Sequence, residues 1–153
     1  MKAMMSEPYV VVCVSESASG QAALRVAAHE AASRHCPLLV LRVWREVGWL
    51  FSMTCEDAAH TPAWYRAEQR LMADAVATVR TCAPDVEVFQ KCVGGDLHSI
   101  VADETRQALV VVVGSSRHAP YSGLGPWLRH HVTCPVVIVG AEDRALVRVP
   151  VRQ

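Results

Sequence analysis

Val110–Val139 reads VVVVGSSRHAPYSGLGPWLRHHVTCPVVIV, and this stretch decides the fold. Val110–Val113 is an unbroken β-branched run without charge, the composition of a strand buried on both faces in a helix-covered parallel sheet. Gly114-Ser115-Ser116 ends the run in a turn whose backbone N–H groups can hold an anion. A short helix follows, then Cys134-Pro135 and a second buried strand, Val136–Val139. Ligands of open parallel sheets bind beyond the carboxyl ends of strands, so a small-molecule site in this chain is expected to include this turn.

The same alternation extends towards the N-terminus. Tyr9–Val14 reads as a first strand, and Ser15–Ser19 as a polar turn able to cap a helix. Gln21–His35 reads as an alanine-rich helix with Leu24, Ala27, Ala28 and Ala31 on one face. Cys36-Pro37 ends it, and Leu38–Trp44 reads as the second strand. An irregular, apolar excursion spans residues 45–60, and Thr61-Pro62 opens a second helix as N-cap and first helical residue. Its expected buried face carries Trp64, Leu71, Ala75, Val79 and Cys82. Val86–Val93 reads as a strand near a sheet edge, because its first half alternates. Gly94-Gly95-Asp96 delivers Asp96 as N-cap to a helix over Leu97–Gln107. Leu109–Val113 is the fourth strand, Gly123–Val132 a helix that Pro126 lets start only near Gly125, and Val136–Val139 the fifth strand.

The order β-α-β-α-β-α-β-α-β implies one doubly wound α/β domain with a five-stranded parallel sheet, order 3-2-1-4-5, and helices on both faces. We place it at residues 8–141. Residues 142–153 form a tail or an edge strand, since Ala145–Gln153 alternates apolar and basic while Pro150 bars it from a sheet centre.

Bulk composition narrows the function. Fifteen basic residues balance fifteen acidic ones, which gives no field for nucleic acid. No apolar run approaches the ~18–20 residues of a membrane span, and MKAMMSEPY lacks the apolar core of a signal peptide. The expected location is the cytoplasm, with no membrane or nucleic acid partner. Six cysteines, without a CxxC pair, read as free thiols. Cys82, Cys92 or Cys134 with His98, His130 or His131 lacks zinc-site spacing, and the adjacent His130 and His131 diverge by ~100° on a helix. There is no GxSxG, HExxH or GxxxxGK[ST], and no nucleophile–base–orienter set. A phosphotransfer receiver would need acidic and lysine residues where the chain has Ser15-Glu16, Val93 and Gly140.

Three segments, in order and correctly spaced, carry a family resemblance: Val10–Leu24 (VVVCVSESASGQAAL), Val93-Gly94-Gly95-Asp96, and Val110–Ser116 with Ser122–Val139. From about Tyr9 to Gly140 the chain resembles the universal stress protein family. The resemblance implies a small cytosolic protein, commonly a dimer, of which some members bind ATP and some do not. It implies adenosine contacts from an Asp after the first strand and from backbone after the second, here near Val43, with phosphates on a loop of pattern G-x2-G-x9-G-[ST]. This chain departs from that pattern. The Asp position is Ser15, and the second loop Gly is Arg117, whose Cβ resists positive φ and close phosphate approach. The final Gly-Ser falls on Ser122-Gly123, so the interval from Gly114 is eight residues where the pattern needs thirteen.

The candidate crevice is therefore Ser15, Val43, Gly114, Ser116, Arg117 and Ser122, with no catalytic or metal-binding residue. Arg117 and His118 add positive charge beside the turn, and Trp44 stands where an adenine would stack. The expected function is a non-catalytic, dimeric interaction module of the universal-stress type that has lost ATP binding and holds no cofactor. It would pair through Val136–Val139, expected as an apolar strand at the sheet edge, and act on an unidentified protein partner. The alternative is a stress sensor holding ATP, AMP or another anionic ligand weakly in the reshaped crevice. Slow nucleotide hydrolysis ranks last, for want of a base or metal ligand.

Overall fold

Burial on both sides makes the central strands continuously apolar. The computed structural model describes residues 7–44, 63–115, 123–142 and 145–149. Strands β1 (Tyr9–Cys13), β2 (Leu38–Trp44), β3 (Val88–Gly94), β4 (Ala108–Gly114) and β5 (Val136–Val139) run parallel. A sixth, β6 (Ala145–Val149), joins antiparallel, and the sheet order is β3-β2-β1-β4-β5-β6. The expected five-stranded parallel core in the order 3-2-1-4-5 is thus present, with Ala145–Val149 as its extra edge strand. That addition corrects one expectation. Val136–Val139 is not the sheet edge, because β6 pairs along its outer side, with Ile138 opposite Val147.

Alternate residues of each strand enter opposite cores. Val10, Val12, Leu38, Val40, Val110 and Val112 pack beneath helices α1 (Ala18–Arg34) and α2 (Ala63–Cys82). Val11, Cys13, Leu39, Leu41, Val111 and Val113 face α3 (Leu97–Glu104) and α4 (Leu124–His131). In α1 the expected stripe is buried, with Ala22, Ala23, Leu24, Ala27, Ala28 and Ala31 in the first core. Alanine on this face lets the helix lie close to the sheet.

Helix α1 begins three residues before the expected start. Ser17 is its N-cap, and its Oγ accepts from the Gly20 N–H at 3.0 Å. The cap outweighs the low helix propensity of Ser19 and Gly20. Asp96 caps α3 as expected, accepting from the Ser99 N–H at 2.9 Å, but α3 ends at Glu104. There the Thr105 hydroxyl turns back onto the Val101 carbonyl at 2.8 Å. Helix α4 starts at Leu124, one residue before the expected start, behind Gly123 at φ 76°. Pro126 fits the first turn, where no intrahelical N–H bond is required. The proposed N-cap Thr61 lies outside the described residues. Along α2 the buried residues are Met72, Ala75, Val76 and Val79. Trp64, expected inside, is exposed and packs at 6.1 Å between ring centroids against Trp44. It sits in the first turn of α2, where its ring meets those of Trp44 and Tyr65.

Candidate functional site

The sheet order reverses at β1, flanked by β2 on one side and β4 on the other. Such a reversal opens a crevice at the carboxyl ends of the strands. Ser15, just beyond β1, is buried there. Its Oγ is 2.8 Å from that of Ser17, which is 3.2 Å from that of Ser19. The three hydroxyls form one chain across the first turn of α1. The Gln21 side-chain amide donates to the Ser15 carbonyl at 3.1 Å and fastens the turn from the helix side.

Two glycines allow this packing. A Cβ on Gly114 would stand 2.6 Å from the Gly20 nitrogen and 2.6 Å from the Ser19 carbonyl carbon. A Cβ on Gly20 would stand 2.0 Å from Ser15 Oγ. The end of β4 therefore rests against the backbone of the α1 first turn, and Ser15 and Gly114 both approach Gly20.

The anion nest at Gly114-Ser115-Ser116 is only partly available. The Ser115 N–H donates to the Val139 carbonyl at 2.9 Å and continues the β4–β5 ladder. It is one of the groups expected to face an anion, and it is spent inside the sheet. Ser116, Arg117, His118 and Ser122 lie outside the described residues. Val43 is buried, and its side chain packs in the core beneath α3 and α4. Only its backbone can reach a ligand. Trp44 packs on Trp64 and Tyr65 and covers Gly94, whose Cβ would meet the indole nitrogen at 2.4 Å. Packing, rather than an open stacking platform, occupies that ring.

Sequence reading missed the charged group beside the crevice. Arg42 interrupts the apolar strand β2, and its side chain is only 7% exposed. Its Nε and Nη2 donate to the two carboxylate oxygens of Glu68 at 2.6 and 3.0 Å. Nη1 donates to the Val14 carbonyl at 3.1 Å, and Nη2 also reaches Glu16 Oε1 at 3.3 Å. A lone arginine in an otherwise apolar strand was a legible signal, since buried charge requires a partner. Nothing in the sequence pointed to Glu68, 26 residues away.

His131 stacks on Trp127 with ring centroids 4.2 Å apart, its Nδ1 2.8 Å from the Trp127 carbonyl, so it does not face an ion with His130. Among the described residues no cluster of His, Cys, Asp or Glu could hold a metal. Cys13, Cys36, Cys82, Cys92 and Cys134 are free thiols, and Cys55 lies outside the described residues. Burial pushes Cys13 up to about 12, with Cys134 adding to the effect, and Cys134 itself up to about 11. These are inert, protonated thiols. A cavity of about 510 Å³ lies at the opposite end of the sheet, between the ends of α1 and α2, lined in part by His35, Cys36, Cys82 and Asp85. It lies at the amino ends of the strands, away from the topological switch point where ligands of such sheets bind.

The family model described as "Universal stress protein family" matches residues 9–140. The chain belongs to the universal stress protein family. Solved structures with the same fold include a universal stress protein in complex with cAMP, 17% identical with a TM-score of 0.66, covering 88% of this chain and 97% of that one. Another is the universal stress protein from Archaeoglobus fulgidus in complex with dAMP, at 18% identity and a TM-score of 0.63, covering 89% and 99%. A universal stress protein family protein from Arabidopsis thaliana with AMP bound gives 16%, a TM-score of 0.58, and coverage of 88% and 92%. At these identities the likeness establishes the fold. The universal stress protein core ends at about Gly140, so β6 is an addition beyond the matched segment. Among the described residues, no helix is long and apolar enough to cross a membrane.

Proposed function

We propose that this universal stress protein is a non-catalytic, cytoplasmic regulatory module that no longer holds ATP tightly and acts through protein contacts, including a second copy of itself. One observation carries this reading: the polar groups of the crevice are turned on each other. Ser15 bonds Ser17 in place of a carboxylate that would grip a ribose, and the Ser115 N–H bonds Val139 in place of a phosphate. The shortened loop after Gly114 removes further phosphate contacts. Losing a single charge-assisted hydrogen bond costs about 1.5–3 kcal/mol, roughly ten- to a hundredfold in affinity. Several such losses take a micromolar site to about millimolar.

A homodimer through Val136–Val139 itself would need β6 to leave β5. With β6 in place, the paired edge is Ala145–Val149, and two copies would meet there. Purified protein tests both points. Light scattering at micromolar concentration should give a dimer, and mass spectrometry of the acid-quenched protein should find no ATP. A monomer would reject the assembly, and stoichiometric ATP would reject the loss of binding.

A second reading, weak retention of a nucleoside monophosphate or another small anion, is favoured by the closeness of Gly114 to the start of α1. That contact holds the end of β4 against the first turn of α1, at the carboxyl ends of the strands. Slow nucleotide hydrolysis has no support from any group placed here.

A further inference from the structure

The cavity of about 510 Å³ at the amino ends of the strands has a chemistry of its own. Three neighbouring segments meet there: Glu7 precedes β1, Cys36-Pro37 precedes β2, and Asp85–Glu87 precedes β3. Its wall is apolar, with Ala31 and Ala83 buried and Val86 half-buried. Its rim is acidic, because the exposed Glu7, Asp85 and Glu87 all line it. No lysine or arginine is among the described residues around it. Arg34 and Arg80 stand in the last turns of α1 and α2 but are not part of the lining, and Arg34 is turned to Glu30 at 3.1 Å. The backbone adds to the sign. Helix α1 ends at Arg34 and α2 at Cys82, so the partly negative carboxyl ends of two helices converge on the same space.

We propose that this cavity binds an aliphatic diamine or polyamine, its methylene chain lying on the apolar wall and its ammonium groups meeting the rim carboxylates. Charge complementarity selects a cation. The spread of the carboxylates selects an organic one. Among the described residues no three His, Cys, Asp or Glu side chains are placed to hold a metal ion, and Glu7 stands on a different segment from Asp85 and Glu87. Carboxylates set apart around an apolar wall suit charges set apart by hydrocarbon, since a long amine lays its methylenes on apolar surface while its ammonium groups stay in water. The volume falls within the range of about 300–1,000 Å³ usual for small-molecule sites. The rim is exposed, so salt screens it, and each ion pair raises affinity by about fivefold at most. The site is independent of the crevice, which lies at the other end of the sheet and turns on different residues.

The test is a titration of nitrogen-15-labelled protein, following its amide resonances at constant low ionic strength. A pH of about 8 is suitable, where histidine ordinarily carries little charge. The probes are putrescine, its uncharged counterpart 1,4-butanediol, and magnesium chloride. The proteins are the wild type, the double variant Asp85→Asn/Glu87→Gln, and Asp74→Asn, an exposed carboxylate on α2 outside the cavity. The double variant alters exposed side chains and keeps the backbone bond from the Leu38 N–H to the Glu87 carbonyl. Putrescine should shift the amides of Cys36, Asp85, Val86 and Glu87 saturably, and leave those of Ser15 and Ser115 in place. The double variant should bind it about five- to tenfold more weakly, and Asp74→Asn as the wild type does. No saturable shift at the cavity amides would overturn the proposal. So would equal affinity in the double variant, an equal loss in Asp74→Asn, or binding of butanediol or magnesium as tight as that of putrescine.

Discussion

Gly114 and Arg42 are the residues on which the crevice depends. A methyl group at Gly114 would press on backbone atoms of Ser19 and Gly20, and backbone cannot swing aside as a flexible side chain can. Gly114→Ala should therefore destabilise the protein by about 1–3 kcal/mol, read as a lower urea midpoint with an unchanged m-value. An unchanged midpoint would mean that β4 and α1 are not in contact. Arg42 gives a contrast between two ion pairs of this chain. Arg42→Ala leaves the half-buried Glu68 without its partner and should cost about 3 kcal/mol. Arg34→Ala breaks a more exposed pair with Glu30, 3.1 Å apart one helical turn away, and should cost about 0.5 kcal/mol or less. Similar losses for the two variants would refute the distinction drawn from their burial. At this scale the sequence was informative about Ser15 and Gly114, which both lie against Gly20. It was silent about Ser17 and Ser19, because serines near a helix start are common, and only three-dimensional packing makes them one hydroxyl chain.

At the scale of elements, the strands were the most legible. β2 and β5 have the expected bounds, because each is an apolar run beginning directly after a proline. Helix ends were less so. Whether α1 begins at Ala18 or Gln21 depends on Ser17 Oγ reaching the Gly20 N–H, and composition does not encode that distance. The place of the tail was open in the sequence. Alternation over Ala145–Gln153 left residues 142–153 as a tail or an edge strand, and pairing along β5 is a long-range choice. The strand and turn that carry Cys13 and Cys134 set a pH limit. Both thiols are raised from 9.0, to about 12 and about 11, so the folded state holds protons that the unfolded chain releases. Their contribution is complete below pH 9 and is lost as pH rises towards 12. Urea midpoints should fall between pH 9 and pH 11, and Cys13→Ala should fall less steeply. Parallel slopes for the two proteins would count against a buried, protonated Cys13.

For the whole molecule, the fold and the chemistry diverge. The sheet order, the two cores and the switch-point crevice are those of a universal stress protein, and relatives of the same fold carry cAMP, dAMP and AMP in their crystals. Within that frame Ser15, Ser17 and Ser19 are joined through their hydroxyls and the Ser115 N–H extends the sheet, the arrangement behind the proposed loss of tight ATP binding. Architecture rests on dozens of buried side chains, whereas a ligand site rests on a few polar groups and is weakened when they find partners within the chain. Isothermal titration calorimetry of the purified protein with ATP, with and without magnesium, tests this most directly. The account predicts a dissociation constant no tighter than about millimolar, unimproved by magnesium. A micromolar constant for ATP would contradict it.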